Sequence, residues 1–100
     1  MEPDTYVRTI KTGTEVLVAA CDADIVGKTF EEDELCLEVK SDFYCGDAVF
    51  LHDCDPLLVE ATILNLVGNR IVGKAVELGL VNPDHVLKIG DTVHAQMVRL

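Results

Sequence analysis

Residues Val16 to Cys21, VLVAAC, carry no polar side chain at any position. A strand without a polar face must be covered on both sides, which sets this segment in the middle of a sheet. The run before it, TYVRTIK (5–11), is also of extended type, and Thr12-Gly13-Thr14 between them is a short turn with a glycine available for positive φ. The two runs are expected to pair as a hairpin. Asp22-Ala23-Asp24 then offers capping oxygens for one helical turn or a loop crossing toward residue 34. In ELCLEVK (34–40), Leu35, Leu37 and Val39 alternate with Glu34, Cys36, Glu38 and Lys40, the pattern of a half-exposed strand. Phe43 to Gly46 reads as an apolar turn region.

A second stretch, Leu57 to Val67, is apolar almost all round. Asp55-Pro56 ahead of it supplies an N-cap carboxylate and a proline at the first helical position, so the spacing predicts a helix buried between the sheet and another surface. Gly68 is expected to break it. Residues 69–78 carry Ile71, Val72, Ala75 and Val76 on one stripe and Arg70, Lys74 and Glu77 on the other, the mark of a second helix closed by Gly79. After the loop Asn82-Pro83-Asp84, the runs HVLKI (85–89) and TVHAQMVRL (92–100) flank Gly90-Asp91 as a closing hairpin. The expected order is β-β-β-α-α-β-β: a single α+β domain over residues 1–100, with a mainly antiparallel sheet and the helices packed on one face.

With 49% hydrophobic residues in 100, the chain has enough apolar side chains to fold without disulfide or metal staples. Eighteen acidic against eight basic side chains give a net charge of -10, the wrong sign for gripping phosphate backbones. The excess is concentrated: residues 1–50 hold 12 acids and 4 bases, net -8, while residues 51–100 hold 6 and 4, net -2. Glu31-Glu32-Asp33-Glu34 is the densest point and is expected to be a solvated loop. The N-terminus has none of the three segments of a signal peptide, and no stretch reaches ~18 uncharged apolar residues, so a cytoplasmic protein without membrane association is expected. Cys21, Cys36, Cys45 and Cys54 contain no C-x-x-C pair, and free thiols are the expectation.

Several motifs fail on their chemistry. Gly68 to Ala75 (GNRIVGKA) has the G-x4-G-K spacing of a phosphate loop, but Ala75 stands where a hydroxyl would bind magnesium, and the segment is expected to follow a helix rather than a strand. Asp22, Asp24, Gly27 and Asp33 echo a calcium loop, yet Val26 replaces an oxygen ligand and Asp33 is too short for bidentate binding. His52 and Cys54 are two possible metal ligands without the third or fourth a metal needs. Neither a metal nor a cofactor is expected. Polar groups set among apolar ones carry more promise. Thr62, Asn65 and Asn69 fall on one side of a continuous helix, and His94 and Gln96 share a face of the last strand. Asn65, Asn69, His94 and Gln96 are therefore the candidate ligand-binding residues.

Taken in order, EVLVAACDADIVGKTF, FYCGD, EATILNLVGNRIVGKAVELGLV and HAQMVRL make the chain resemble a small archaeal family catalogued as domain of unknown function 424. The resemblance spans nearly the whole chain and implies an archaeal cytoplasmic protein. It brings no activity with it, and the four cysteines and the HDCD segment depart from its pattern. Three readings of function follow. The first is a non-catalytic module that binds a protein partner or forms a homo-oligomer. The second is a ligand or acid–base site on His94, Gln96 and Asn65. The third is RNA association through Arg8, Lys11, Arg70, Lys74, Lys88 and Arg99, which requires those residues to share a face.

The sequence holds one Ser and one Gln, and its acids outnumber its bases too far for dense ion pairing, which suggests adaptation to heat and concentrated salt. At molar ionic strength the Debye length falls to about 3 Å, so the net charge costs little in self-repulsion. The melting temperature should therefore rise from dilute buffer to molar potassium chloride; superimposable melting curves would contradict this.

Overall fold

The computed structural model describes residues 2–99. Strands β1 (Thr5–Thr12) and β2 (Glu15–Asp22) form the expected hairpin, paired from Thr5 opposite Asp22 to Thr12 opposite Glu15. Val18 to Cys21 are at most 1% exposed, so β2 is covered on both faces. After a 3-10 turn at Ala23–Ile25 come a separate two-stranded hairpin, β3 (Thr29–Glu32) with β4 (Leu35–Glu38), and a helical turn, α1 (Ser41–Tyr44). A short strand β5 (Asp47–Val49), a 3-10 turn at Leu51–Asp53 and helix α2 (Asp55–Glu60) follow. Strand β6 (Ile63–Val67), helix α3 (Asn69–Glu77), a 3-10 turn at Pro83–His85, β7 (Leu87–Ile89) and β8 (Thr92–Val98) complete the chain.

The main sheet has six strands in the order β5-β1-β2-β6-β8-β7. Its pairs are antiparallel except β2 with β6, which is parallel. The α+β class stands, but the sheet is mixed, and the strands and α-helices run β-β-β-β-α-β-α-β-α-β-β along the chain instead of the expected β-β-β-α-α-β-β. Nor do all the surrounding elements lie on one face. Helices α2 and α3 cover Val18, Ala20, Leu64, Leu66 and Ala95, while α1 and the β3–β4 hairpin cover Ala19, Cys21 and Val67 on the other side. The acidic run 31–34 is the end of that hairpin rather than a loop, with Asp33 at φ 56 in its turn. Glu32 accepts from the Gly90 amide and pairs with Lys88, tying the hairpin to the turn between β7 and β8.

The predicted helix over Leu57–Val67 is the main correction. α2 ends at Glu60; Ala61 turns extended at ψ 141, and Thr62 locks onto β2, its Oγ1 accepting from the Val16 amide at 2.8 Å and its own amide donating to the Val16 carbonyl at 2.9 Å. ILNLV then runs as a strand bonded on both edges, to β2 and to β8. An apolar run without a polar face fits a buried helix and a buried strand equally well by periodicity, and here the partner strands decide. Thr62, Asn65 and Asn69 thus do not share a helix face: the first two flank or lie on β6 and the third begins α3.

Gly68 joins β6 to α3 at φ 124, and a Cβ there would lie 2.4 Å from the Asp22 carboxylate carbon. That carboxylate, 3% exposed at the end of β2, accepts from the amides of Arg70 and Ile71, each at 3.0 Å. It satisfies first-turn donors that the helix itself leaves orphaned. Burial pushes its carboxyl above the ordinary value, against the pull of the two amides and of the Arg70 guanidinium. Asp22→Ala should cost about 1–3 kcal/mol by leaving buried amides unpaired. Gly68→Ala, which combines a strained φ with a clash between the added Cβ and the Asp22 carboxylate, should cost at least as much. Urea unfolding measures both as lowered midpoints at unchanged slope; unshifted midpoints would contradict this account of the junction.

Candidate functional site

The sheet face away from α2 and α3 is organised in rows set by register across β1, β2, β6 and β8. Tyr6, Cys21, Val67 and His94 form one row, Arg8, Ala19, Asn65 and Gln96 the next, and Ile10, Leu17, Ile63 and Val98 a third, with Thr12 and Glu15 beyond it on β1 and β2. The first row lies toward the β3–β4 hairpin and α1, whose Phe30, Leu37, Phe43 and Tyr44 pack there. The second is partly roofed by α1: the Arg8 guanidinium donates to the Asp42 carbonyl, and the Tyr44 hydroxyl donates to Asn65 Oδ1 at 2.7 Å. The third row belongs to neither buried cluster. Leu17 and Ile63 are half-buried, while Ile10 and Val98 stand 37% and 62% exposed. Glu15 is the one acidic residue in these rows, and its carboxylate accepts from Thr62 Oγ1 at 2.7 Å.

Between the covered and uncovered halves sits a polar cluster. Asn65 Oδ1 takes the Tyr44 hydroxyl and lies 3.1 Å from His94 Nε2. A carbonyl oxygen only accepts, so Nε2 carries the imidazole proton and Nδ1 presents a lone pair. Burial holds the His94 imidazole below its ordinary value, so it is neutral at pH 7. The same cause pushes the Tyr44 phenol up to about 12. Gln96, exposed, is the register partner of Asn65 on β8.

The structure therefore brings Asn65, His94 and Gln96 onto one surface, through strand pairing rather than through a helix. Asn69 is elsewhere: its side-chain amide donates to the Asp91 carbonyl at 3.1 Å, where it ties the start of α3 to the last turn. Tyr44, which the sequence reading passed over as part of an apolar turn, completes the cluster. The available signal was a phenol in an apolar run, a group that needs a hydrogen-bond partner once buried.

The remaining candidates disperse. His52 is exposed and stacks on Phe50 at 5.4 Å, whereas Cys54 is fully buried with its thiol toward the Phe50 carbonyl. Among the described residues no three His, Cys, Asp or Glu side chains converge. All four cysteines are free thiols; Cys21, pushed up to about 12 by burial, is inert as a nucleophile. The G-x4-G-K segment does follow a strand, which overturns one ground for setting it aside. Asp22 nevertheless occupies the amides a phosphate would use, and Lys74 is spent on Asp55 at 2.7 Å. Asp22 and Asp24, the first residues of the calcium-like loop, are engaged by α3 and by Arg70. Arg70, Lys74 and Lys88 each pair with a carboxylate on a different element. No helix among the described residues is long and apolar enough to cross a membrane.

The family described as Protein of unknown function (DUF424) matches residues 10–100. No curated protein matches the chain. A crystal structure of an uncharacterized conserved protein from Methanopyrus kandleri is similar in fold, with a TM-score of 0.78 at 22% identity over 96% of this chain and 94% of that one.

The polar cluster makes two measurable contributions to stability. Tyr44→Phe removes one donor from Asn65 and should cost about 1 kcal/mol. Because the folded state holds His94 below its ordinary value, the stability tied to neutral His94 is complete above that value and is lost as pH falls through it. His94→Gln should therefore flatten the fall in stability between about pH 7 and pH 5 relative to the unsubstituted chain. Parallel pH profiles for the two proteins would contradict the assignment.

Proposed function

We propose that this chain, which belongs to the DUF424 family of proteins of unknown function, is a non-catalytic interaction module that docks a protein surface onto the uncovered half of its sheet face. The observation that carries the reading is the row Ile10, Leu17, Ile63 and Val98: four apolar side chains aligned by register on four adjacent strands, outside both buried clusters. Solvent-facing sheet surfaces of small domains are normally polar at alternate positions, so an apolar row on the open face marks a contact surface. A flat, rigid, strand-built surface suits a protein partner, and the Tyr44–Asn65–His94 cluster serves it by fixing the edge of the covered half. The acidic remainder of the molecule would keep it soluble in a concentrated, salt-rich cytoplasm and leave this face as the place of approach.

Leu58, Leu64, Leu66 and Val67 are 0% exposed within the chain itself and need no partner to cover them, whereas Ile63 of the same stretch faces the uncovered row. The surface left for a partner lies on the sheet face away from α2 and α3.

The test is affinity capture from the native cytoplasm with the wild-type chain and with Val98→Asp and Ile10→Asp, exposed positions at which a carboxylate leaves the fold intact. Partners retained by the wild-type chain should be lost from both variants. Retention undiminished by either substitution would overturn the reading.

A further inference from the structure

Resting on that docking face, we infer that its occupant is a second copy of the chain, packed row against row about a twofold axis lying along Ile10, Leu17, Ile63 and Val98, with the strands of the two copies antiparallel. Charge gives the first reason. Two molecules of net charge -10 repel one another over nearly every approach. The rows on this face carry one acidic residue, Glu15, and one guanidinium, Arg8, already held by the Asp42 carbonyl. On this face each copy brings a single carboxylate, Glu15, already bonded to Thr62 Oγ1.

The arrangement follows from what stands on the same face. α1 and the β3–β4 hairpin rise from the end of the sheet marked by Tyr6, Cys21, Val67 and His94, and the bare row lies toward the other end. If two copies stacked with their strands in the same direction, those elements would collide before the bare rows touched. Turning one copy end for end places each covered half beyond the end of the other sheet and lets row meet row, in the aligned face-to-face packing of a sandwich. A twofold axis along the row makes the contact self-complementary, each residue meeting its own counterpart, which is the commonest symmetry of protein dimers. Four side chains and their rim bury less than the about 800 Å² per partner of a standard interface, so the dimer is weak and strengthens as salt screens the repulsion.

Sedimentation equilibrium of the intact chain reads this directly. At submillimolar protein in molar potassium chloride the wild-type mass should approach twice that of the monomer, and in dilute buffer it should fall back toward the single mass. Val98→Asp and Val98→Lys, each setting like charges face to face across the axis, should both remain at the monomer mass. Mixed in equal amounts in the same salt, they should recover the doubled mass, because the opposed Asp and Lys then meet at contact distance, where screening is weakest. A wild-type chain that stays monomeric under all these conditions overturns the inference, and capture of a Val98-dependent partner in that case leaves the broader docking reading intact. A wild-type dimer that survives both substitutions places the contact elsewhere and overturns the inference, and the docking reading is then decided by the capture experiment alone. A dimer that both substitutions abolish but the mixture does not restore overturns the row-on-row arrangement.

Discussion

The parallel pairing of β2 with β6 is the contact on which the other features depend. It joins segments more than forty residues apart and completes the centre of the sheet, giving Leu17 to Cys21 and Ile63 to Val67 backbone partners on both sides. It also carries the end of β2 to the start of α3, so that one buried carboxylate, Asp22, closes the helix terminus and meets the one residue type that fits opposite it, Gly68. Without that pairing α3 has no anchor and Leu64 and Leu66 have no helices to pack beneath. The entropy of closing so long a loop is recovered through burial: Leu58, Leu64, Leu66 and Ile71 are all fully buried around the junction.

The same register gives the two sheet faces different fates. One is sealed by α2 and α3; the other is sealed over only part of its length, because α1 is a single turn and the β3–β4 hairpin leans toward β7. Asn65 marks the boundary. It turns an otherwise apolar strand toward α1 and satisfies Tyr44 and His94 together, so the polar cluster positions the covering elements and defines where the bare row begins. Charge is arranged in keeping with this, with the carboxylates of residues 31–34 on a projecting hairpin and Glu15 alone among the register-paired rows.

Much of this was legible in the sequence. The first hairpin, the amphipathic helix after Gly68 and the closing strands each carry a period or a turn residue that local chemistry dictates. Leu57 to Val67 was not legible, because absence of a polar face is a statement about burial and not about backbone geometry; the choice fell to long-range partners that no window of residues contains. Short elements were missed for a related reason. β3, α1 and β5 are held by contacts to the sheet rather than by their own propensity. The candidate residues divide in the same way. His94 and Gln96 were placed on one strand face by simple alternation and lie there. Asn65 joins them by strand pairing, Asn69 departs into a helix start, and Tyr44 enters from an element the sequence did not announce.

Residues 63–67 are a strand bonded on both edges at the middle of the sheet. Native-state hydrogen exchange of individual amides reads that pairing residue by residue. The amides of β6 should exchange with the slowest class, together with those of Val18 to Cys21 on β2, and only through global unfolding. Fast exchange of the β6 amides through local opening, while β2 remains protected, would contradict the account.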